Sequence, residues 1–409
     1  MPPVLVDLIR RNLDPGQPSS ELWTQLKNPS DVFSVLLILG GDVVARALAQ
    51  LVGSGITPVA FSFGWVAYAV SAVVSAVGEN KLMPFPDTSC EVINAKSGYT
   101  RDNTSWIIGR IVRDYDEWKD ERVSKHLKTM LDAKDKFDRE KANNEVSGSG
   151  AKLKYPKRAG LCVSVYKAGE VQAGTSGYDF VYWLGFGTTI LQLGIAAIPC
   201  GVFGDWSIFL ITIAGILLSF VTGSLPQWKE EKWACRDKSD KDVILTRGNG
   251  SQHAIVILGE RKGFDLEDLA AGQTNVDVSN LRKTRFALAG LATLWILLLI
   301  TAAGIKQNTW FLLAIGGVGI LQNIFAAGRV RHPKAYGMPL TLVEVLGLPK
   351  VMDTLVEVER KYPYTGINMI DTFFPGGKLR DHEQMTWNNL EKDAKERWKA
   401  WKEVRKNNS

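Results

Sequence analysis

Six stretches of this chain are apolar almost without interruption, and they arrive as three close pairs: 31–53 with 57–78, 178–199 with 205–223, and 286–305 with 309–327. Each holds about the twenty residues that a helix needs to cross a hydrocarbon layer ~30 Å thick. In such a layer every backbone N–H and C=O must bond internally, so runs this long and this poor in charge predict helices. The expected architecture is an α-helical polytopic membrane protein with six transmembrane helices arranged as three hairpins (31–78, 178–223 and 286–327).

The polar remainder divides into an N-terminal arm (1–30), two inter-hairpin segments (79–177 and 224–285) and a C-terminal tail (328–409). The segment 79–177 opens with a Pro-punctuated extended stretch, KLMPFPDTSCEV, followed by a charged helical pattern from Ser105 to Asn143 and a Gly/Ser linker, NNEVSGSGA. Alternating β-branched residues predict a strand at Leu161–Tyr166. Val243–Thr246 and Ala254–Leu258 flank RGNGSQH, a turn suited to a β-hairpin. A hairpin alone is marginal in water, so the strand from the preceding segment is expected to join it in a small sheet. The tail predicts a helix over Leu342–Tyr362, broken near Gly347-Leu348-Pro349, and a charged helix from Asp381 to about Arg405 whose apolar seam includes Trp387, Leu390, Ala394, Trp398 and Trp401.

Charge orients this plan. The short turns inside the pairs, Ser54–Ile56, Cys200–Gly204 and Lys306–Asn308, hold one basic residue, Lys306. Of the 49 Lys and Arg, 47 lie in the long segments, Arg46 and Lys306 being the exceptions. Basic flanks mark the cytosolic side. Both termini and all the bulk are therefore expected in the cytosol, with sequons Asn103, Asn249 and Asn407 facing it too. Basic and acidic residues are nearly balanced and intermixed, at a net charge of +6, which does not favour nucleic acid as a partner. The expected partners are the lipid bilayer and a cytosolic protein.

Within the apolar runs the one charged pair is Asp42 and Arg46, four residues apart on one helical face, with Gln50 a turn further on. Gln192, Gln322 and Asn323 are the other polar candidates for an intramembrane site, either as a ligand site or as hydrogen bonds that fix helices against each other. Helices four and six share a spacing of Trp and Gly-Ile-Leu, Trp206 with 215–217 and Trp310 with 319–321, at an offset of 104, so a duplicated unit is open. Recognised catalytic signatures are absent, and no cofactor or metal site is expected. Cys90, Cys162, Cys200 and Cys235 form no CxxC pair, and His126, His253, His332 and His382 are isolated. Cys162 and His253 approach each other if the small sheet forms, but spacing alone defines no nucleophile–base pair.

Three strings, VAFSFGWVAYAVSAVVSAVGENKLMPFPD (59–87), LTRGNGSQHAIVILG (245–259) and DTFFPGGKLRDHE (371–383), resemble a family of uncharacterised multi-span membrane proteins of filamentous ascomycete fungi. No activity is established for that family, so the resemblance implies a membrane location and a fungal source and no catalytic residue. The expected role is a membrane scaffold or accessory protein with a large cytosolic portion. The alternatives are a transporter or channel with a polar site near Asp42 and Arg46, and an integral-membrane enzyme of fungal metabolism.

Overall fold

A computed structural model describes residues 30–78, 81–144, 155, 156, 158–272, 278–376 and 379–407. The expected N-terminal arm up to residue 29, and the Gly/Ser linker beyond Asn144, lie outside the described residues.

In chain order the first elements are α1 (Ser30–Leu51), α2 (Gly64–Gly78), β1 (Glu91–Asn94), β2 (Thr100–Asp102), α3 (Trp106–Arg113), α4 (Glu121–Asn144) and β3 (Cys162–Ala168). The middle of the chain forms α5 (Phe180–Phe203), α6 (Ser207–Gly223), α7 (Pro226–Lys232), β4 (Val243–Thr246), β5 (His253–Leu258) and α8 (Leu266–Ala271). Then follow α9 (Val278–Ala303), α10 (Thr309–Gly328), β6 (Leu340–Gly347), α11 (Val351–Lys361) and α12 (Asp381–Asn407). These divide into two compact units, a helical one (1–82, 178–228 and 278–329) and a sheet-centred one (83–177, 229–277 and 330–409).

In the helical unit, α5, α9 (from Lys283) and α10 are long and apolar enough to cross a membrane. A fourth candidate arises if α6 and α7, bent by 43° at their junction, count as one span. Only 28% of the most apolar window of α5, and the same share of α9, is covered by protein. Phe180, Trp183, Ile190, Leu191, Leu294 and Leu297 are among the large apolar side chains left exposed.

The expected six crossing helices are not confirmed: three, or four with the bent pair, are long and apolar enough among the described residues, and the first apolar pair is built differently from two such helices. One end of the unit is marked by the start of α5 and the ends of α6 and α10. The opposite end carries the turns before α6 and α10, where Asn308 Nδ2 donates to Asp205 Oδ2 at 3.1 Å. The sequence suggests that Ser54–Ile56 sits with those turns. It lies instead at the first end: the Tyr182 hydroxyl donates to Ile56 O at 3.0 Å, Thr57 Oγ1 to Gly223 O at 2.8 Å, and Gln50 Nε2 to Arg329 O at 2.7 Å.

The cause is local. Gly53, Gly55 and Pro58 disfavour a helix, and Val52–Ser62 forms none. From Thr57 the buried chain runs without helix, through a tight turn at Thr57–Val59, into the middle of the unit. There Gly64 meets Gly40 so closely that a Cβ on Gly40 would fall 2.5 Å from the Gly64 Cα. Helix α2 then carries the chain back to the first end, where Arg285 Nε donates to Ala76 O at 3.0 Å. With 15 residues, α2 is short of a membrane-crossing length. The pair 31–78 is thus one long helix followed by a re-entrant hairpin, non-helical inward and helical outward.

The second unit holds one six-stranded sheet, ordered β2-β1-β4-β5-β3-β6. The expected β4–β5 hairpin is present, with Val243 opposite Ile257 and Thr246 opposite Ala254. The expected third strand, β3, joins it parallel to β5, with Cys162 in register with His253. Three strands were not apparent in the sequence. β1 and β2 follow the stretch read as loop, and β6 takes the first part of the segment read as the helix Leu342–Tyr362. Leu340–Gly347 is rich in β-branched and aliphatic residues, and pairing with β3 gives its backbone the ladder that a helix would otherwise supply. Helix begins only after Pro349, at α11. The charged pattern 105–143 is likewise divided, into α3, the turn Tyr115–Trp118 and α4.

One sheet face, with Val163, Val165, Ala254, Val256 and Leu346, forms the apolar core with Leu355 and Val358 of α11 and Trp387 of α12. The tail seam docks on this core: Trp387 Nε1 sits 3.2 Å from Met352 Sδ, and Arg397 donates to Glu359 O at 2.6 Å.

Candidate functional site

Non-helical backbone inside an apolar helical unit leaves amides and carbonyls without helical partners, and each must be satisfied from outside. The re-entrant segment recruits side chains for this. Gln322 Oε1 accepts from Ala60 N at 3.2 Å. Ala60 O accepts from Trp65 Nε1 at 2.9 Å and from Asn323 Nδ2 at 3.1 Å. Gln192 Nε2 donates to Phe61 O at 2.6 Å and to Ile315 O at 2.9 Å, and Asn323 also reaches Ser62 Oγ at 3.3 Å. Phe61 stacks on Trp295 (6.1 Å between centroids), which stacks on Trp65 (5.5 Å).

All three amides are buried, and each uses only half of its bonding capacity on the segment. Gln192 Oε1, Gln322 Nε2 and Asn323 Oδ1 have no hydrogen-bond partner among the described residues. The middle of this unit therefore offers two acceptors and one donor grouped around residues 60–62, with no ionised group among them.

The structure divides the six sequence-derived candidates. Gln192, Gln322 and Asn323 come together on the re-entrant segment. Gln50 is buried but serves the end of α10. Asp42 and Arg46 do pair, at 2.7 Å, yet their side chains are 70% and 43% exposed, so the charged pair lies on the outer face of α1 and away from the amides. Sequence reasoning missed Ala60 and Phe61, whose main-chain atoms are the hub of the site. The signal was present in Gly53, Gly55 and Pro58.

In the sheet unit, Cys162 and His253 are neighbours on β3 and β5, as the sequence suggested. Cys162 has no exposure, and burial pushes its thiol up to about 11, so it stays protonated at neutral pH and out of reach of a substrate. Burial lowers His253 to about 4, with Lys119 adding to the fall and Asp116, 3.6 Å away, opposing it. Tyr115 packs on the His253 ring at 5.1 Å and its hydroxyl lies 3.4 Å from that of Tyr166. This is a buried polar row between sheet and helix, without the properties of a nucleophile and base.

A second buried group lies between Trp106, Trp233 and Tyr336, whose rings surround the Lys232 ammonium at 5.8, 4.8 and 5.7 Å. Burial, then the charges of Arg331 and Arg110, hold this lysine well below its usual basicity.

The sheet unit also has an open cleft of about 620 Å³ beyond the C-terminal end of β5, bounded by the Gly259–Lys262 turn and by Trp398 and Trp401 of α12. Among the described residues no three His, Cys, Asp or Glu side chains gather as a metal site. No family model, curated protein or solved structure matches this chain.

Proposed function

We propose that the protein is a multi-pass membrane protein that tethers its sheet unit to a bilayer as a binding module, in the manner of a scaffold or accessory subunit. The observation that carries this reading is the way the module is assembled. Its strands come from three segments that leave the helical unit separately and pair into one sheet. The uncovered apolar faces of α5 and α9 fit lipid as their solvent. In this reading α1, α5, α6, α9 and α10 cross the membrane and residues 52–78 do not. The module and its tail helix α12 lie in the cytosol with the basic flanks.

Alkaline carbonate extraction of membranes should leave the full chain in the pellet. Cross-linking in native membranes should join a protein partner to the sheet unit. Release into the supernatant, or cross-links confined to the helical unit, would overturn the proposal.

A second reading, passage of a small polar solute, is favoured by one observation: the re-entrant segment with its half-used amides. Non-helical backbone at membrane depth is tolerated where protein buries it or where it lines an aqueous path. Liposomes carrying the purified chain distinguish the two readings. Solute flux abolished by Gln192→Leu supports passage, and no flux above empty liposomes supports the tether.

A further inference from the structure

We infer that the cleft between α12 and the Gly259–Lys262 turn is a binding site for a zwitterionic phosphate ester, a phosphate joined to an amino alcohol as in phosphocholine. This inference does not rest on the tethering role, since it concerns the cleft alone.

The first ground is charge. Lys241 is already neutralised by Asp265 at 2.9 Å and Glu267 at 2.7 Å, and Glu260 by Lys167 at 2.5 Å. Four lining cations, Lys96, Arg261, Lys399 and Lys402, form no ion pair among the described residues. Carboxylates line the same cleft: Asp240 and Glu403, also without an ion pair, and Asp242, which accepts from Gly259 N at 3.0 Å. A polyanion would meet the acids, and a plain cation would meet the lysines. A ligand carrying both signs is complementary to the set.

The second ground is aromatic. Trp398 and Trp401 stack with centroids 5.1 Å apart, and the Lys96 ammonium sits 5.2 Å from the Trp398 centroid. That ring face already serves as a platform for an alkylammonium group, the interaction by which aromatic residues hold quaternary ammonium ligands. The phosphate then falls to Arg261, Lys399 and Lys402, whose donors suit its oxygens.

The third ground is the turn that forms the cleft's lip. Glu260 and Arg261 are consecutive non-glycine residues with φ of +48° and +60°. Lys262 N donates to Gly259 O at 2.9 Å, and the Glu260 side chain is held by Lys167. Left-handed backbone at two such residues persists only where its surroundings impose it, and it concentrates at sites that must present a side chain in one place. Here the side chain presented is Arg261. A volume of about 620 Å³ lies well within the range of small-molecule sites.

The test is isothermal titration of the full chain in maltoside micelles with phosphocholine, choline chloride, inorganic phosphate and monomeric dihexanoyl-phosphatidylcholine. Phosphocholine is expected to bind at least about ten-fold more tightly than choline or phosphate alone. Lys399→Glu with Lys402→Glu should abolish that binding while the melting temperature stays unchanged, because both residues are exposed. Trp398→Leu should weaken phosphocholine more than inorganic phosphate. Equal affinity for phosphocholine and the short-chain lipid assigns the site to a soluble ester, and a preference of about ten-fold or more for the lipid assigns it to a headgroup. Inorganic phosphate or choline binding as tightly as phosphocholine, binding that survives the double charge reversal, or no heat from any probe overturns the inference.

Discussion

Gly319 of α10 packs against the carbonyl oxygen of Phe61 so closely that no side chain fits between them. Gly215 of α6 faces the ring of the same Phe61, where a Cβ would fall 2.5 Å from the ring carbons. These two glycines are the ones related by the 104-residue offset in the sequence. Two helices with matching Trp and Gly-Ile-Leu spacing thus hold the tip of the re-entrant segment from two sides. The repeated glycine has a steric reason here, whatever the origin of the repeat.

Gly319→Ala should accordingly destabilise the protein by about 1–3 kcal/mol, the usual cost of overfilling a packed interior. Gly317→Ala, two residues away where a Cβ meets nothing within 4 Å, should be neutral or mildly stabilising. Thermal unfolding in detergent, followed by intrinsic fluorescence, compares them. Equal melting temperatures for the two variants would remove Phe61 from its place against α10.

Gln192→Leu keeps the volume of the side chain but strips Phe61 O of its donor, while Ile315 O, inside α10, keeps its helical partner. Leaving buried carbonyls unsatisfied costs about 1–3 kcal/mol. Asn323→Leu should cost less, because Ala60 O keeps its bond from Trp65 Nε1. Both changes loosen the same three-residue stretch, so the double variant should fall short of the sum by more than about 0.5 kcal/mol. Strict additivity would mean that the amides do not act on one segment.

What was legible in the sequence follows from how local each signal is. Strand β3 and the β4–β5 hairpin were readable because alternation and a Gly-rich turn are written within a dozen residues. The docking seam of α12 was readable from the spacing of Trp387, Leu390 and Ala394. Strand β6 was missed because its pattern carries no period strong enough to exclude a helix, and pairing with β3, nearly 180 residues earlier, decides the matter. The re-entrant segment was missed for the opposite reason. Hydropathy averages over a window, and Phe61, Phe63 and Val59 outweighed the Gly and Pro that stop the helix. Of the six polar candidates, Gln192, Gln322 and Asn323 meet on one segment. Asp42 and Arg46 were drawn toward them by the assumption that charge in an apolar run points inward, whereas the pair neutralises itself on the outer face of α1.

The sheet unit should weaken on mild acidification through His253. Its folded pKa, about 4, lies below the ordinary 6.5, so between those values the unfolded chain binds more protons than the folded one. Stability from this group is full above pH 6.5 and is lost as pH falls toward 4. The loss approaches about 3 kcal/mol at one pKa unit per 1.36 kcal/mol. His253→Gln should flatten the melting temperature between pH 7 and pH 5 compared with the unchanged protein. A slope that persists in the variant would assign the effect to other groups, among them His332, which burial also holds below its ordinary value.

The re-entrant hairpin makes a prediction about sidedness that separates it from a pair of crossing helices. Ser54 lies at the end of the helical unit where Tyr182 bonds to Ile56, and Lys306 lies at the other, beside the contact of Asn308 with Asp205. A cysteine placed at either position in a variant lacking the four native cysteines should react with a membrane-impermeant maleimide from opposite faces of a sealed vesicle. Ser54→Cys should share its face with a cysteine at Ser224, at the end of α6, because Thr57 Oγ1 bonds to Gly223 O there. If Ser54→Cys and Lys306→Cys are labelled from the same face, residues 57–78 cross the membrane after all. The non-helical course of Thr57–Phe63, the clasp on Phe61 and the five-span arrangement would then fall together.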